Sequence, residues 1–364
     1  MNYDFDKLTV LIPSLEPDIQ LVIYVRDLLQ NGIRSIVVVN DGSDESYAPI
    51  FSDLEKVGCI VLTHDVNRGK GCALKTGYQY ILDQMPWIMG IITADADGQH
   101  KRYDVCELGK QLLMGKEGLL LGSRDFTLPN VPIKSRLGNK ITSVVFWLLY
   151  GSMLPDTQTG LRAFARKYLP FMIDVEGSRF EYEMNVLIAC ARSNVPMSVA
   201  FIETVYLNEN KGSHFHPLKD SFRIYKVLLN KFFLFMYSSV ISTVVDMLLC
   251  FILMDMLRTP FTYRPEWIWI GISTLCARLV SANVNFILNK KVVFRLKTHG
   301  GNTFVKYIIL CAIIASLSWG GVSFLHMVLE VNEKASKVIL DILLFFVSYR
   351  VQQRWVFNEL EKKG

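Results

Sequence analysis

Short apolar runs alternate with segments of helical apolar spacing in the first part of the chain. The pattern predicts strands at 8–12, 35–39, 59–63 and 87–93, and helices at 19–31, 47–57 and 71–84. Pro13 is expected to end the first strand. Continuously apolar strands that alternate with helices are typical of a parallel sheet covered on both faces. We therefore expect an α/β domain of the Rossmann-like, mostly parallel class, whose ligands bind at the carboxyl ends of the strands.

The second part of the chain consists largely of long apolar segments. Four of them have the roughly 20 mostly apolar residues that a bilayer requires, at about 232–257, 267–288, 304–329 and 336–356. The pattern predicts an α/β domain at 1–207, an all-α domain of four transmembrane helices at 232–357 and a tail at 358–364. Residues 208–231 place apolar and cationic side chains on different faces of a helix, which indicates an amphipathic helix at the membrane surface. A plain linker is the alternative.

The charges predict an orientation in the membrane. Lysine and arginine concentrate before the first span, between the second and third spans and in the tail, so the α/β domain and both termini are expected in the cytoplasm. The first residues do not resemble a cleaved signal sequence, which agrees with a multi-pass protein of the inner, cytoplasmic membrane. The net charge of +5 is attributed to attraction to the membrane surface, and no nucleic-acid partner is expected. The seven cysteines lack metal-binding spacing and are expected to be reduced.

Polar motifs follow three of the predicted strands. Their sequences are PSLE (13–16), NDGSD (40–44) and TADADGQH (93–100). The glycine-rich segment 67–71 enters a helix, and its amide groups suit a phosphate. Asp95 and Asp97 lie two residues apart just past an apolar strand, where they can share a divalent cation that keeps water and phosphate oxygens as its other ligands. A solvated turn is the alternative for such a pair in isolation.

These motifs together resemble glycosyltransferase family 2, and in particular its polyprenyl-phosphate sugar synthases. That group includes dolichyl-phosphate mannose synthases and bactoprenol glucosyltransferases. The resemblance covers nearly all of the α/β domain and rests on the ordered motifs LIPSLEP (11–17), VVNDGSD (38–44), NRGKGCALKTG (67–77), DADGQH (95–100), GSRDF (122–126), SRLGN (135–139) and DTQTGLRAF (156–164). It implies a GT-A fold. The membrane part is similar to GtrA-type four-helix domains, which often accompany such enzymes.

The resemblance also implies roles for individual residues. The nucleotide-sugar donor would be held by Pro13, Glu16, Asp41, Lys70 and Asp95. A Mg²⁺ or Mn²⁺ ion at the diphosphate would be bound by Asp95, Asp97 and Gln99. The lipid phosphate would be received by Arg124 and Ser135, together with Arg136. The family's mannose synthases often place a further arginine four residues before the serine, where this chain has Val131; Lys134 or Arg136 is the expected substitute.

The predicted reaction is metal-dependent, inverting transfer of a single sugar to a polyprenyl phosphate, either undecaprenyl or dolichyl phosphate, at the cytoplasmic membrane face. Both UDP-glucose and GDP-mannose types of donor remain open, as does the oligomeric state. One alternative is a polysaccharide-extending transferase, which would need a QxxRW motif; the segment 352–355 is one residue short of that spacing. A second alternative is a lipid-linked sugar flippase or membrane anchor with a nucleotide-sugar-binding module.

Several other polar residues have structural interpretations. Asp156 is expected to cap a turn or to belong to the site, and Glu181 and Glu183 are expected on a solvated helix face. In the membrane part, residues 286–294 and 349–357 form an internal repeat, which predicts two duplicated helical hairpins. Arg278 lies within a span and is expected to be neutralised by Asp341 or Asp246.

Overall fold

Strands and helices alternate along the first part of the chain as the apolar pattern predicts. The computed structural model describes residues 4–128, 131, 133–203, 217–258, 266–294, 301–329 and 332–357. It divides into two compact units, Met1–Leu228 and Leu229–Gly364. The helical residues 217–228 of the predicted interfacial segment therefore group with the α/β unit, whereas residues 204–216 and the predicted tail lie outside the described residues.

A seven-stranded sheet forms the centre of the first unit, with the order β3-β2-β1-β4-β6-β5-β7. Only β6 runs antiparallel to its neighbours, which are β4 and β5. The predicted mostly parallel α/β class is therefore confirmed. The strands are β1 Leu8–Ser14, β2 Ile36–Asn40, β3 Ile60–Thr63, β4 Gly90–Thr93, β5 Leu119–Arg124, β6 Arg162–Ala165 and β7 Met197–Ile202.

Helices cover the sheet because apolar residues recur along one face of each. The first three follow the predicted ranges to within one residue at each end. The helices are α1 Gln20–Gln30, α2 Ala48–Lys56, α3 Lys70–Gln84, α4 Arg102–Leu113, α5 Ile133–Tyr150, α6 Leu169–Asp174 and α7 Glu181–Arg192, with short 3-10 turns at Phe5–Lys7, Glu45–Tyr47 and Arg166–Tyr168. β1 and β2 are buried along their whole length, so the polar residues of this unit concentrate where the strands end.

The expectation that Pro13 ends the first strand is wrong. β1 continues to Ser14, and Pro13 pairs in register with Val39 of β2. On its other side β1 pairs with β4 only as far as Leu11, opposite Thr93. Because β4 has already ended, the missing amide hydrogen of Pro13 costs no hydrogen bond on that side.

The second unit is helical. Its helices are the greater part of α8 Pro217–Arg258, α9 Glu266–Leu288, α10 Gly301–Leu329 and α11 Glu333–Val351. Among the described residues, three helical stretches are long and apolar enough to cross a membrane: Ser221–Leu257, Ile270–Val293 and Asn302–Leu325. The fourth predicted span falls on α11, which does not meet that criterion because Lys334, Lys337, Asp341 and Arg350 interrupt its apolar sequence. That fourth span stays a prediction.

The sequence repeat in the second unit corresponds to a repeated structure. α9 and α11 each continue into one π-helical turn, Asn289–Val293 and Gln352–Val356. In the two turns the amides of Phe294 and Phe357 donate to the carbonyls of Asn289 and Gln352 at 2.9 and 2.8 Å. The turns also meet: Asn289 Nδ2 donates to Gln352 Oε1 at 2.9 Å, and the rings of Phe294 and Phe357 stack at 4.9 Å. The segment 352–355 thus belongs to this repeat.

Ion pairs occur within both helical hairpins of the second unit: one joins α8 to α9, and the other lies within α11. Arg278 Nε lies 3.5 Å from Asp246 Oδ2, and Ser281 Oγ donates to the same carboxylate at 2.9 Å. Asp341 pairs instead with Lys337 at 3.0 Å. Of the two predicted partners of Arg278, Asp246 is therefore the one found.

Candidate active site

The carboxyl ends of β2, β1 and β4 lie side by side because these strands are neighbours in the sheet. They bring together the three polar motifs that the sequence places after strands. Glu16 follows β1 with a positive φ of 47°, and its backbone amide donates to Ser43 Oγ at 2.8 Å in the turn after β2. The Glu16 side chain is exposed at this edge, whereas Pro13 is buried within β1. The sheet topology thus assembles the predicted donor side.

Asp41 holds the glycine-rich loop at the start of α3. Its carboxylate is buried and accepts hydrogen bonds from the amides of Arg68 at 3.0 Å and Gly69 at 2.7 Å. His64 Nδ1 lies 2.7 Å from the same carboxylate, and His64 Nε2 lies 2.9 Å from Thr76 Oγ1. The amides expected to suit a phosphate are therefore engaged by a carboxylate of the protein itself in this structure. The role of Asp41 toward a nucleoside stays a prediction.

The loop around Asp41 requires glycine at two positions. Gly42 has a φ of 74°, and a Cβ there would lie 2.3 Å from the carbonyl carbon of Val66. Gly69 has a φ of 97°, and a Cβ there would lie 2.5 Å from the Ser178 carbonyl oxygen. A side chain at either position would force backbones apart, so Gly42 allows the turn after β2 to pack on the loop before α3, and Gly69 allows that loop to pack on the segment before α7.

Asp95 lies at the centre of a charged cluster. Lys70 Nζ contacts Asp95 Oδ1 at 2.6 Å and Glu183 Oε1 at 3.0 Å, and His100 Nε2 lies 3.2 Å from Asp95 Oδ2. On the remaining side, Gly160 brings its backbone so close that a Cβ would lie 2.3 Å from the Asp95 carboxylate. The Lys70 side chain, predicted to bind the donor, thus pairs with Asp95 and Glu183 in this structure.

The two acids after β4 are in opposite electrostatic situations. Burial would raise the pKa of Asp95, but Lys70 and His100 together hold that pKa well below its usual range. Burial and the neighbouring charge of Asp95 raise the pKa of Asp97. Burial would lower the pKa of Lys70, but Asp95 and Glu183 raise it, so the ammonium stays charged. A second cation beside Asp97 would relieve the repulsion between the two carboxylates.

The donor set at this edge fits a hard divalent cation. Asp95 and Asp97 offer carboxylate oxygens, and Gln99 follows on the same turn. The backbone amide of Gln99 donates to Asp97 Oδ1 at 3.1 Å. Across the described ranges no group of three or more His, Cys, Asp or Glu side chains is placed to hold an ion. The protein would therefore supply two carboxylates and leave the remaining positions to water and phosphate oxygens, as magnesium sites commonly do.

Arg124 is held in place by Asp156. Arg124 Nε and Nη2 donate to the two carboxylate oxygens at 2.7 and 3.2 Å, and the Asp156 side chain is 0% exposed. Asp156 also accepts from the amide of Gln158 at 2.9 Å, so it both caps its turn and orients the arginine. The Arg124 side chain remains 28% exposed at the end of β5. A bidentate pair of this kind fixes the plane of the guanidinium.

One segment of chain connects the paired acids with Arg124. Residues 156–160 carry Asp156 at one end and, at the other, Gly160, whose carbonyl accepts from Thr93 Oγ1 at 2.8 Å and whose Cα faces Asp95. Asp95 after β4 and Arg124 at the end of β5 therefore contact opposite ends of this five-residue segment. This arrangement places two anion-binding elements at neighbouring strand ends.

The first turn of α5 carries the other predicted acceptor residues. Arg136 Nη2 donates to the carbonyl of Leu128 at 2.8 Å, and its Nε is buried without a hydrogen-bond partner among the described residues. Ser135 lies one position before it and is partly exposed. Val131 is buried and apolar, so it contributes no charge in place of the family's arginine. The side chain of Lys134 lies outside the described residues.

Glu183 is the residue that the sequence interpretation placed wrongly. It is buried and paired with Lys70, whereas Glu181 is half-buried and accepts from the amides of Ser178 and Arg179. A signal was present, because Glu183 shares helical spacing with the buried residues Val186, Leu187 and Cys190 of α7. His64 and His100 were also missed, and nothing in their spacing marks them.

Comparisons with known proteins identify a family for each part of the chain. Residues 21–169 match the model of glycosyl transferase family 2, and residues 231–357 match that of the GtrA/DPMS transmembrane domain. An uncharacterized protein of Methanocaldococcus jannaschii is 31% identical over 232 residues, which cover 63% of this chain and 93% of that protein. The UDP-N-acetylglucosamine–dolichyl-phosphate N-acetylglucosaminyltransferase of Methanococcus voltae is 27% identical over 220 residues, covering 55% and 87% of the two chains.

A similar solved structure is the mannosyltransferase PcManGT of Pyrobaculum calidifontis in complex with GDP-Man and Mn²⁺. It is 12% identical, with a TM-score of 0.39, and the match covers 98% of this chain and 90% of that one. The family matches fall on both units described above, one on each. The chain belongs to glycosyltransferase family 2, with the GT-A class of α/β sheet expected from that resemblance, and it carries a GtrA/DPMS transmembrane domain.

Proposed function

We propose that the protein transfers a single sugar from a nucleotide-sugar to a polyprenyl phosphate at the cytoplasmic face of the membrane, with inversion and with Mg²⁺ or Mn²⁺. The observation that carries this proposal is the 156–160 segment, which contacts Asp95 after β4 at one end and orients Arg124, the last residue of β5, at the other. Similarity to the dolichyl-phosphate N-acetylglucosaminyltransferase of Methanococcus voltae supports a dolichyl-phosphate acceptor. The sugar stays open among donors of the UDP-glucose, UDP-N-acetylglucosamine and GDP-mannose types.

The donor side would use the ends of β1, β2 and β4. Pro13, Glu16 and Asp41 would border the nucleoside, and Asp95, Asp97 and Gln99 would hold the cation at the diphosphate. A bound divalent cation supplies charge stabilisation to the diphosphate as it leaves. The chain's own contribution is to keep Asp95 ionised through Lys70 and His100, so that one ligand is always a carboxylate.

The acceptor side would use Arg124, Ser135 and Arg136. A phosphate monoester is largely ionised near neutral pH, so the enzyme needs to position it more than to deprotonate it. A lipid phosphate oxygen forms the new bond to the anomeric carbon while the bond from that carbon to the diphosphate oxygen breaks, and the nucleoside diphosphate leaves with the electron pair. Because two anions must approach each other, cationic groups on the acceptor side and precise positioning lower the barrier.

An exposed apolar stripe on α5 supports a lipid acceptor. Ile133, Leu137, Ile141 and Val144 recur at helical spacing and are all exposed, with Ile133 reaching 79%. Apolar residues at this spacing on an exposed helix face are typical of a helix that lies in a membrane surface. Ser135 and Arg136 are on the first turn of the same helix, where lipid headgroups would reach them.

The opposite face of α5 contacts the beginning of α8. Thr142 Oγ1 lies 2.9 Å from the hydroxyl of Tyr225, and the hydroxyl of Tyr150 donates to the carbonyl of Leu228 at 3.0 Å. Tyr225 and Leu228 lie within the candidate membrane span Ser221–Leu257. α5 is therefore fixed to the first turns of a helix that can enter the bilayer, which supports the proposed membrane position of its apolar stripe.

The decisive experiment follows label from donor to lipid. Membranes containing the protein are incubated separately with labelled UDP-glucose, UDP-N-acetylglucosamine and GDP-mannose, together with added polyprenyl phosphate. We expect one donor to label a chloroform-soluble lipid that releases its sugar in mild acid. Label in long polymer would favour the polysaccharide-extending alternative, and absence of labelled lipid with every donor, in protein that still binds a nucleotide-sugar, would favour the flippase or anchor.

The apolar stripe makes a separate prediction. Ile141→Glu places a charge at the proposed bilayer surface and is expected to lower transfer to a long-chain polyprenyl phosphate in vesicles by about tenfold. Transfer to a short-chain, water-soluble prenyl phosphate in detergent should change little, because the reacting groups are intact. Met114→Glu is the matched control, since Met114 is an exposed apolar residue at the end of α4, away from the stripe. Equal losses for both acceptors would contradict a membrane role for α5.

A further inference from the structure

Lys70 has two carboxylate partners, and only one of them belongs to the proposed cation site. Its ammonium lies 2.6 Å from Asp95 Oδ1 and 3.0 Å from Glu183 Oε1. Glu183 is buried, and the Lys70 side chain is only 16% exposed, so water screens neither contact strongly. The ammonium is therefore shared between a candidate metal ligand and a carboxylate on another helix, α7.

Sharing of this kind matters because an ammonium and a divalent cation repel each other when both contact one carboxylate. Burial of an ionised glutamate carries a desolvation penalty, which a cationic partner has to offset. With Glu183 present, the ammonium has a second anchoring point already within hydrogen-bond distance and can leave Asp95 without losing its ion pair. Without Glu183, only Asp95 of these two carboxylates would remain to pair with the Lys70 ammonium.

We infer that Glu183 is the counter-ion that takes the Lys70 ammonium when a divalent cation binds Asp95, so that Glu183 sets the affinity of the site for the cation without contacting it. The inference rests on the proposed function in so far as it uses Asp95 as a metal ligand. Glu183 is a positioning residue in this scheme, since it acts through Lys70. The arrangement also keeps Asp95 ionised and oriented before the cation arrives.

The test measures Mn²⁺ binding directly, by electron paramagnetic resonance of free Mn²⁺ with the full-length protein in detergent and no donor. Glu183→Gln is expected to weaken binding about tenfold, and Lys70→Gln to tighten it about tenfold, because the two substitutions change the charge near Asp95 in opposite directions. Glu181→Gln is the matched control: it removes the same charge two residues earlier on α7, where the carboxylate accepts from the backbone amides of Ser178 and Arg179 and is near the charge of Arg223. It should change binding about twofold at most.

The double variant Lys70→Gln with Glu183→Gln separates this scheme from a general effect of charge. If Glu183 acts through Lys70, its replacement should have little further effect once Lys70 is absent, and the double variant should bind Mn²⁺ as Lys70→Gln does. Additive changes would overturn the inference, and so would unchanged binding in Glu183→Gln. If that single variant does not fold, the comparison of the double variant with Lys70→Gln decides alone.

The outcome is independent of the sugar-transfer assay. If the variants show the expected order of Mn²⁺ affinities but the wild-type protein labels no lipid, the proposed function is rejected and the inference is kept. Protein that labels lipid but shows additive changes in the double variant would do the reverse.

Discussion

Replacement of Asp97 by alanine is expected to lower sugar transfer by about a thousandfold or more, while the metal-free protein unfolds at an equal or higher temperature. The loss follows from removing one of the two carboxylates proposed to hold the cation at the diphosphate. The stability follows from the electrostatics of the pair: burial and the charge of Asp95 raise the pKa of Asp97, so its ionised form is disfavoured in the folded state. A group of this kind contributes no stability at neutral pH.

Two measurements check this prediction, the labelled-lipid assay at saturating Mn²⁺ and thermal unfolding in the presence of a chelator. Asp53→Ala is the control, because Asp53 is an acid on α2 that only pairs with the neighbouring Lys56. It should leave transfer unchanged. An Asp97→Ala variant that is well folded and still transfers sugar at more than a few per cent of the wild-type rate would remove Asp97 from the proposed mechanism.

The second large effect concerns Arg124. Its replacement by alanine is expected to lower kcat/KM for the polyprenyl phosphate by about 10²- to 10³-fold, since an oriented cation proposed to bind the acceptor phosphate is lost. The same change should reduce the free energy of unfolding by about 2 kcal/mol, because fully buried Asp156 loses its partner and keeps only backbone donors. KM for the donor should change much less than KM for the acceptor.

A double variant separates these two consequences of losing Arg124. Arg124→Ala combined with Asp156→Asn removes the buried charge together with its partner, so stability should recover by more than half while transfer stays low. Denaturant unfolding and steady-state kinetics on the same preparations measure both quantities. If transfer recovered together with stability, Arg124 would be a structural residue and the acceptor phosphate would have to be bound elsewhere.

The parts of the fold that could be predicted from the sequence are those set by local patterns. The helix at 19–31 is found at Gln20–Gln30 and the strand at 35–39 at Ile36–Asn40, because each buries a continuous or helically spaced set of apolar residues. Pro13 misled the prediction, since whether a proline ends a strand depends on where the neighbouring strand stops. β4 stops at Thr93, and that is a property of the sheet and not of the local sequence.

The candidate site divides in the same way. Asp95 and Asp97 could be singled out because they follow directly on an apolar strand. The residue pairs that fix the site could not be predicted from local sequence. Arg124 and Asp156 are 32 positions apart, and Asp41 and Gly69 are 28 apart. Such pairings follow from strand order, which local spacing does not determine. The burial of Glu183 could have been predicted, because its helical spacing with buried residues outweighs the usual preference of glutamate for the surface.

The ion pairs of the second unit bear on how this chain is inserted during synthesis. Asp246 finds Arg278 and Ser281 within the hairpin of α8 and α9, and Lys337 finds Asp341 and Ser318 within the hairpin of α10 and α11. Within the described residues, each hairpin therefore compensates one charged group internally, and for that group neither hairpin needs the other in order to leave the translocation channel for lipid. A hairpin that neutralises such a charge within itself can be added to a soluble enzyme as a unit, since that charge needs no partner from the new neighbour.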